Sequence, residues 1–162
     1  MAKTVIAVFP GTFDPITLGH QDLIRRSAKL FSSVIVAVAA AHHKKTLFTL
    51  DERLETVRAV FASLENVRVE PFTGLVCDFA VAQSATVMVR GVRSVTDFDY
   101  EAQLAGMNRA LSADVDTIFL TPDSRYQFIS STLVREIATL KGDVRQFVDA
   151  IVHARLMDKL RA

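Results

Sequence analysis

Val5-Ile6-Ala7-Val8-Phe9-Pro10-Gly11-Thr12-Phe13-Asp14-Pro15-Ile16-Thr17-Leu18-Gly19-His20 runs apolar, breaks at Pro-Gly and re-enters regular structure through Gly-His. It reads as a buried strand over Thr4–Phe9, a stiffened turn, and a helix starting near Leu18. Pro10 and Pro15 restrict φ in the turn, while Gly11 and Gly19 let backbone approach a ligand closely. A helix beginning here aims its unpaired N–H groups and the positive end of its dipole at the turn, a natural seat for phosphate. Thr12, Thr17 and His20 add donors, and no nucleophilic Ser or Cys accompanies them. An ordinary strand–turn–helix connection, with His20 as a surface or capping residue, is the alternative reading of this stretch alone.

Working outward, strand and helix patterns alternate to the end of the chain. Further strands are predicted over Val34–Ala39, Val67–Glu70, Thr86–Arg90 and Val115–Leu120, mostly as continuous apolar runs that fit strands covered on both faces. Leu23, Ile24, Ser27 and Phe31 share one helical face, and Leu50, Leu54, Val57, Phe61 and Leu64 share another, headed by a Thr49/Glu52 capping box. Helices are also predicted over Leu75–Gln83, Thr96–Leu111, Ser131–Leu140 and Val144–Leu160, with Gly142 as the stop between the last two. Such alternation predicts an α/β fold: a single-domain, doubly wound, parallel five-stranded sheet spanning residues 1–162. In that architecture ligands bind beyond the carboxyl ends of the strands. The first motif, Lys44, Arg90 and Ser130 all follow strand ends, so all four project from one edge.

Composition narrows the class. The 162 residues are half hydrophobic, enough for one real core, and the net charge of +1 supplies no broad field for nucleic acid or a membrane surface. No apolar run reaches the ~20 residues of a membrane helix. No secretory leader is recognised, so a cytoplasmic location is expected. Cys77 is the single cysteine, which excludes an internal disulfide and a cysteine zinc site. No His-x-x-x-His spacing and no Gly-x-Ser-x-Gly elbow occurs.

The motifs also carry a family resemblance. Gly11-Thr12-Phe13-Asp14-Pro15-Ile16-Thr17-Leu18-Gly19-His20 resembles the signature of the nucleotidyltransferase superfamily, with Thr17-Leu18-Gly19-His20 as its [HT]-x-G-H element. Threonine at 17 points within it to the phosphopantetheine adenylyltransferase family. Arg90-Gly91-Val92-Arg93, with Asp97-Phe98-Asp99-Tyr100-Glu101, resembles that family's R-G-x-R and D-[FY]-x-Y-E stretch. Ile129-Ser130-Ser131-Thr132-Leu133-Val134-Arg135 resembles its I-S-S-[ST]-x-[VI]-[RK] signature. Three ordered motifs in one chain are far more specific than any of them alone. Leu18, Asp149 and the stretch 41–46 depart from the family pattern.

The resemblance implies a Rossmann-like nucleotidyltransferase that moves AMP from ATP to 4′-phosphopantetheine, giving dephospho-coenzyme A and pyrophosphate. It implies direct in-line attack with no covalent enzyme intermediate, because the acceptor phosphate is already an anion. His20 is implied as transition-state stabiliser, with Thr12, Lys44 and Arg90 beside it. Thr12, Lys44, Val76 and Arg90 are implied on phosphopantetheine. Thr12, Phe13, His20, Gly91, Val92, Arg93 and Glu101 are implied on ATP. The run Tyr126, Gln127, Phe128, Ile129, Ser130, Ser131, Thr132 lines the nucleotide side in the same reading. Mg²⁺ is expected through the ATP phosphates rather than a protein cage. A homohexamer inhibited by coenzyme A is implied too. Two rivals stand beside this: transfer to a nicotinate or nicotinamide mononucleotide, or from CTP to a polyol phosphate; and a nucleotide sensor without catalysis.

Overall fold

The computed structural model describes residues 4–40 and 45–161. Five parallel strands, β1 (Ile6–Gly11), β2 (Ser33–Ala39), β3 (Val67–Phe72), β4 (Val87–Gly91) and β5 (Asp116–Leu120), form one sheet in the order β3-β2-β1-β4-β5. Helices α1 (Leu18–Leu30), α2 (Leu50–Val60), α3 (Val76–Ala82), α4 (Val95–Leu111), α5 (Ser131–Thr139) and α6 (Ala150–Arg161) flank it, and a 3₁₀ turn spans Ser124–Tyr126. Strand order reverses between β1 and β4, so a crevice opens at their carboxyl ends.

β1 and β2 are buried on both faces because their side chains alternate between two cores. Ala7, Phe9, Val34, Val36 and Val38 join Leu23, Ile24, Leu54, Val57, Val134 and Leu156 on one face. Val8, Ile35, Ala37 and Met88 meet Ala80 and Val115 on the other. β1 runs two residues further than its apolar pattern, taking in Pro10 and Gly11. A proline inside a central strand is tolerated here because pairing with β4 covers only Ala7↔Val87 and Val8↔Met88. Beyond that point the strands part, and the Pro10 carbonyl accepts from Arg90 Nη1 at 3.4 Å. Gly11 is required where it stands, since a Cβ there would lie 2.8 Å from the Phe13 ring.

The Thr49/Glu52 capping box forms as the sequence predicts. Two expectations near the carboxyl terminus need correction. The last helix begins at Ala150, not Val144. Val144 and Val148 are buried, and so continue the fourfold spacing of Val152 and Leu156, but they belong to a turn. The Phe147 carbonyl accepts instead from Leu18 N at 3.0 Å, at the start of α1, and Asp149 Oδ1 accepts from Ile151 N at 3.0 Å to start α6. Nor does Gly142 supply the left-handed turn that stops α5. Lys141 does, at φ 63°, while Gly142 N donates to the Ile137 carbonyl at 2.8 Å. Glycine is needed at 142 for space, because its Cβ would lie 2.5 Å from Ile137 Cγ2.

Candidate active site

A cleft of about 550 Å³ lies at the β1/β4 crevice. Thr12, His20, Val76, Arg90, Gly91, Arg93, Glu101, Tyr126, Ile129, Ser130, Ser131 and Thr132 line it, bringing together most of the residues the sequence singled out. Phe72, Met88 and Leu104 add an apolar wall beside Val76. Four expected residues stand outside the lining. Phe13 is buried beneath His20, its ring edge-on to the imidazole with centroids 5.1 Å apart. Val92 is buried, and its N–H is taken by the Leu120 carbonyl at 2.9 Å. Gln127 is exposed, and Phe128 packs edge-on against Phe147 in a small apolar recess behind α5. Lys44, with His42 and His43, lies outside the described residues.

His20 is both the capping residue and the cleft donor. Its Nδ1 accepts from Thr17 N at 3.0 Å and its own N–H meets Thr17 Oγ1, completing a reciprocal cap on α1. A backbone N–H can only donate, so Nδ1 carries no proton and the neutral ring holds its hydrogen on Nε2. Burial, then the nearby Arg93 guanidinium, pushes the pKa of His20 down to about 4. The ring is therefore a neutral Nε2–H donor at physiological pH. Leu18 N is taken by Phe147 and His20 N by Thr17, so among the described residues the Gly19 N–H is the first-turn donor of α1 left without a protein partner.

α5 presents a second N-terminus. Ser130 caps it by accepting Leu133 N at 3.1 Å, and Ser131 Oγ donates to the Pro15 carbonyl at 2.7 Å. The Ser131 and Thr132 N–H groups have no partner among the described residues and lie at the cleft wall, as an anion seat requires. Two arginines complete the polar side, each held by a carboxylate. Arg90 makes a bidentate pair with Glu101, Nε to Oε2 at 2.7 Å and Nη2 to Oε1 at 2.5 Å. Glu101, expected on the nucleotide, thus has both oxygens on Arg90. Arg93 stands 3.6 Å from Asp97 and donates to the Ile129 carbonyl at 2.9 Å, tying the two motif loops together.

Three residues behind the cleft escaped the sequence reading. Asp14, within the first motif, is buried and accepts from Leu47 N and Phe48 N, both at 2.9 Å. Arg135 Nη1 donates to the Asp14 carbonyl at 2.5 Å and stands 3.6 Å from its carboxylate. Arg53 is 2% exposed and donates to the carbonyls of Thr12 and Ala39. The available signal was its place on the apolar stripe of α2, three residues after Leu50 and four before Val57.

A parallel α/β sheet with two helix N-termini, a neutral imidazole and two arginines around one crevice has the chemistry of a phosphate-binding site in the nucleotide-binding class of α/β folds. Relatives named phosphopantetheine adenylyltransferase are 68% identical in Acidovorax sp. (strain JS42), over 96% of this chain and 94% of the relative. In Thiobacillus denitrificans such a relative is 52% identical, over 96% and 97%. The chain belongs to the cytidylyltransferase-like family, which matches residues 8–137, and within it to the phosphopantetheine adenylyltransferases, a group of nucleotidyltransferases. A provisionally named nicotinate-nucleotide adenylyltransferase from Vibrio parahaemolyticus shares the fold at 18% identity, with a TM-score of 0.71 over 98% of this chain and 95% of that one.

Proposed function

We propose that this chain transfers AMP from ATP to 4′-phosphopantetheine, releasing pyrophosphate and dephospho-coenzyme A in coenzyme A biosynthesis. The observation that carries the reading is the tautomer of His20: a neutral ring, proton on Nε2, at the meeting point of two helix N-termini. A phosphate oxygen of the acceptor attacks the α-phosphorus, the bond to the bridging oxygen breaks, and pyrophosphate leaves with that bond's electrons. The acceptor is anionic at neutral pH, so no protein base is needed. Catalysis then consists of alignment plus a donor to the charge that builds on the α-phosphate, the role of His20 Nε2–H. Thr12 and Arg90, with Lys44, hold the acceptor phosphate. The α5 N-terminus with Ser130, Ser131 and Thr132 holds the outer phosphates of ATP, and Gly91 with Arg93, Tyr126 and Ile129 borders the nucleotide.

A divalent cation fits this reading as a companion of ATP. Among the described residues no three His, Cys, Asp or Glu side chains are grouped to hold a metal, and the cleft carboxylates of Glu101 and Asp97 are engaged by arginines. Mg²⁺ bound through the phosphates would offset their charge, and the chain's own residues supply hydrogen bonds. Among the described residues no helix is long and apolar enough to cross a membrane, and the reading puts the enzyme in the cytoplasm. It also takes the enzyme as a homohexamer inhibited by coenzyme A, which shares the pantetheine arm of the product. Val95, Tyr100 and Met107, exposed along α4, support a subunit contact there.

Pyrophosphate release from Mg-ATP, measured across a panel of acceptor phosphates, tests the proposal. Release with phosphopantetheine alone is expected. Release with a mononucleotide, or with CTP and a polyol phosphate, would reassign the substrate; ATP binding with no release from any acceptor would indicate a sensor.

A further inference from the structure

Arg53 is the largest fully buried side chain among the described residues, and its burial makes no sense as core packing. Its Nη1 donates to the Thr12 carbonyl at 2.8 Å and to the Ala39 carbonyl at 2.7 Å, while Nε has no partner. A buried guanidinium with an unmatched N–H is costly, and a Leu or Met on the same stripe would serve the core better. Asp14 is the anion whose field it feels.

What the guanidinium supplies is geometry. β1 and β2 pair as far as Gly11↔Val38. Thr12 and Ala39 come immediately after, where the ladder ends and their carbonyls would otherwise lose their partners. One nitrogen bridges both. It thereby fixes the Thr12 peptide just before Phe13, which sits at φ 52°, a conformation that a non-glycine residue holds only when its surroundings impose it. Thr12 faces the cleft, whereas Arg53 does not line it.

We propose that Arg53 is a positioning residue that sets the Thr12 peptide for phosphate alignment, acting on the reaction without touching substrate. The inference rests on the adenylyl-transfer reading for its kinetic arm. Arg53→Lys keeps the charge but cannot reproduce the planar bridge. It is expected to fold, to keep its KM for ATP within about threefold of wild type, and to lose about 10²-fold in kcat, the scale of a displaced reacting group. The Thr12 backbone amide resonance of ¹⁵N-labelled protein should move in Arg53→Lys, a readout that needs no substrate.

A folded Arg53→Lys enzyme with kcat within about twofold of wild type would overturn the proposal. An unmoved Thr12 amide would overturn it too. Failure of both Arg53→Lys and Arg53→Met to fold would show that the arginine serves the fold alone. Wild-type protein inactive with phosphopantetheine would break the substrate assignment instead, and the amide comparison would still decide the role of Arg53.

Discussion

The two helix N-termini that meet at the cleft are finished in different ways. Among the described residues α1 is closed at all but one amide: Thr17 and His20 cap each other, Phe147 takes Leu18 N, and beside the single free Gly19 N–H the aimed donor is a side chain, His20 Nε2–H. α5 is left open: Ser130 caps Leu133 N, and the Ser131 and Thr132 N–H groups remain for a ligand. An end satisfied at all but one amide gives a rigid, aimed side-chain donor, which suits a charge that appears only in the transition state. An open end gives several amides, which suit an anion present throughout. On the proposed reading, the difference separates rate from affinity along the chain.

The sharpest way to break this contrast is His20→Ala. Loss of one donor aimed at developing charge is expected to lower kcat by about 10²–10³, with little change in the KM for ATP. Steady-state kinetics would refute the contrast if KM rose and kcat held.

Next comes pH. His20 is held near pKa 4 in the fold against 6.5 when unfolded, so its ring stays neutral through the range where free histidine titrates. The pH profile of kcat/KM should therefore show no inflection near 6.5 in the wild type that His20→Ala abolishes. Stability follows the same group. As pH falls from 6.5 toward 4 the unfolded chain binds a proton that the folded chain does not, so unfolding free energy declines there; above 6.5 this group contributes no slope. Denaturant titrations of wild type and His20→Ala at pH 7.5 and 5 measure the term, which should vanish in the variant.

Smaller effects sharpen the α5 side. Ser130→Ala removes a helix cap and is expected to cost about 1 kcal/mol in urea unfolding. Because it frays the amides that face the anion, the KM for ATP should rise more than kcat falls, the reverse of His20→Ala. Thr17→Ala should cost a similar ~1 kcal/mol through its lost cap, yet leave the Thr17 N to Nδ1 bond that fixes the tautomer. A collapse of kcat in Thr17→Ala would show that the hydroxyl, not the backbone, orients the ring.

Much of this was legible before any coordinates. β1 and β2 stand out because a strand covered on both faces needs an unbroken apolar run, and α2 because a Thr49/Glu52 pair is a local device. α6 was overextended for an instructive reason. The spacing of Val144, Val148, Val152 and Leu156 reports which side chains face the core, and a turn can satisfy that as well as a helix can. What ended the helix was a carbonyl at Phe147 turned toward Leu18, more than a hundred residues away in sequence. Glu101 lines the cleft as expected, but its carboxylate is also held by Arg90 across strand and helix, a pairing no local pattern encodes.

Sequence alone determined the alternating strands and helices, the three motifs, and their gathering at one sheet edge, because periodicity, caps and strand ends are properties of neighbouring residues. Tertiary structure alone decided which nitrogen of His20 carries its proton, which carboxylate holds each arginine, and that a buried Arg53 joins Thr12 to Ala39. Those are settled by hydrogen-bond geometry and desolvation between distant segments, and such contacts exist only once the chain has closed on itself.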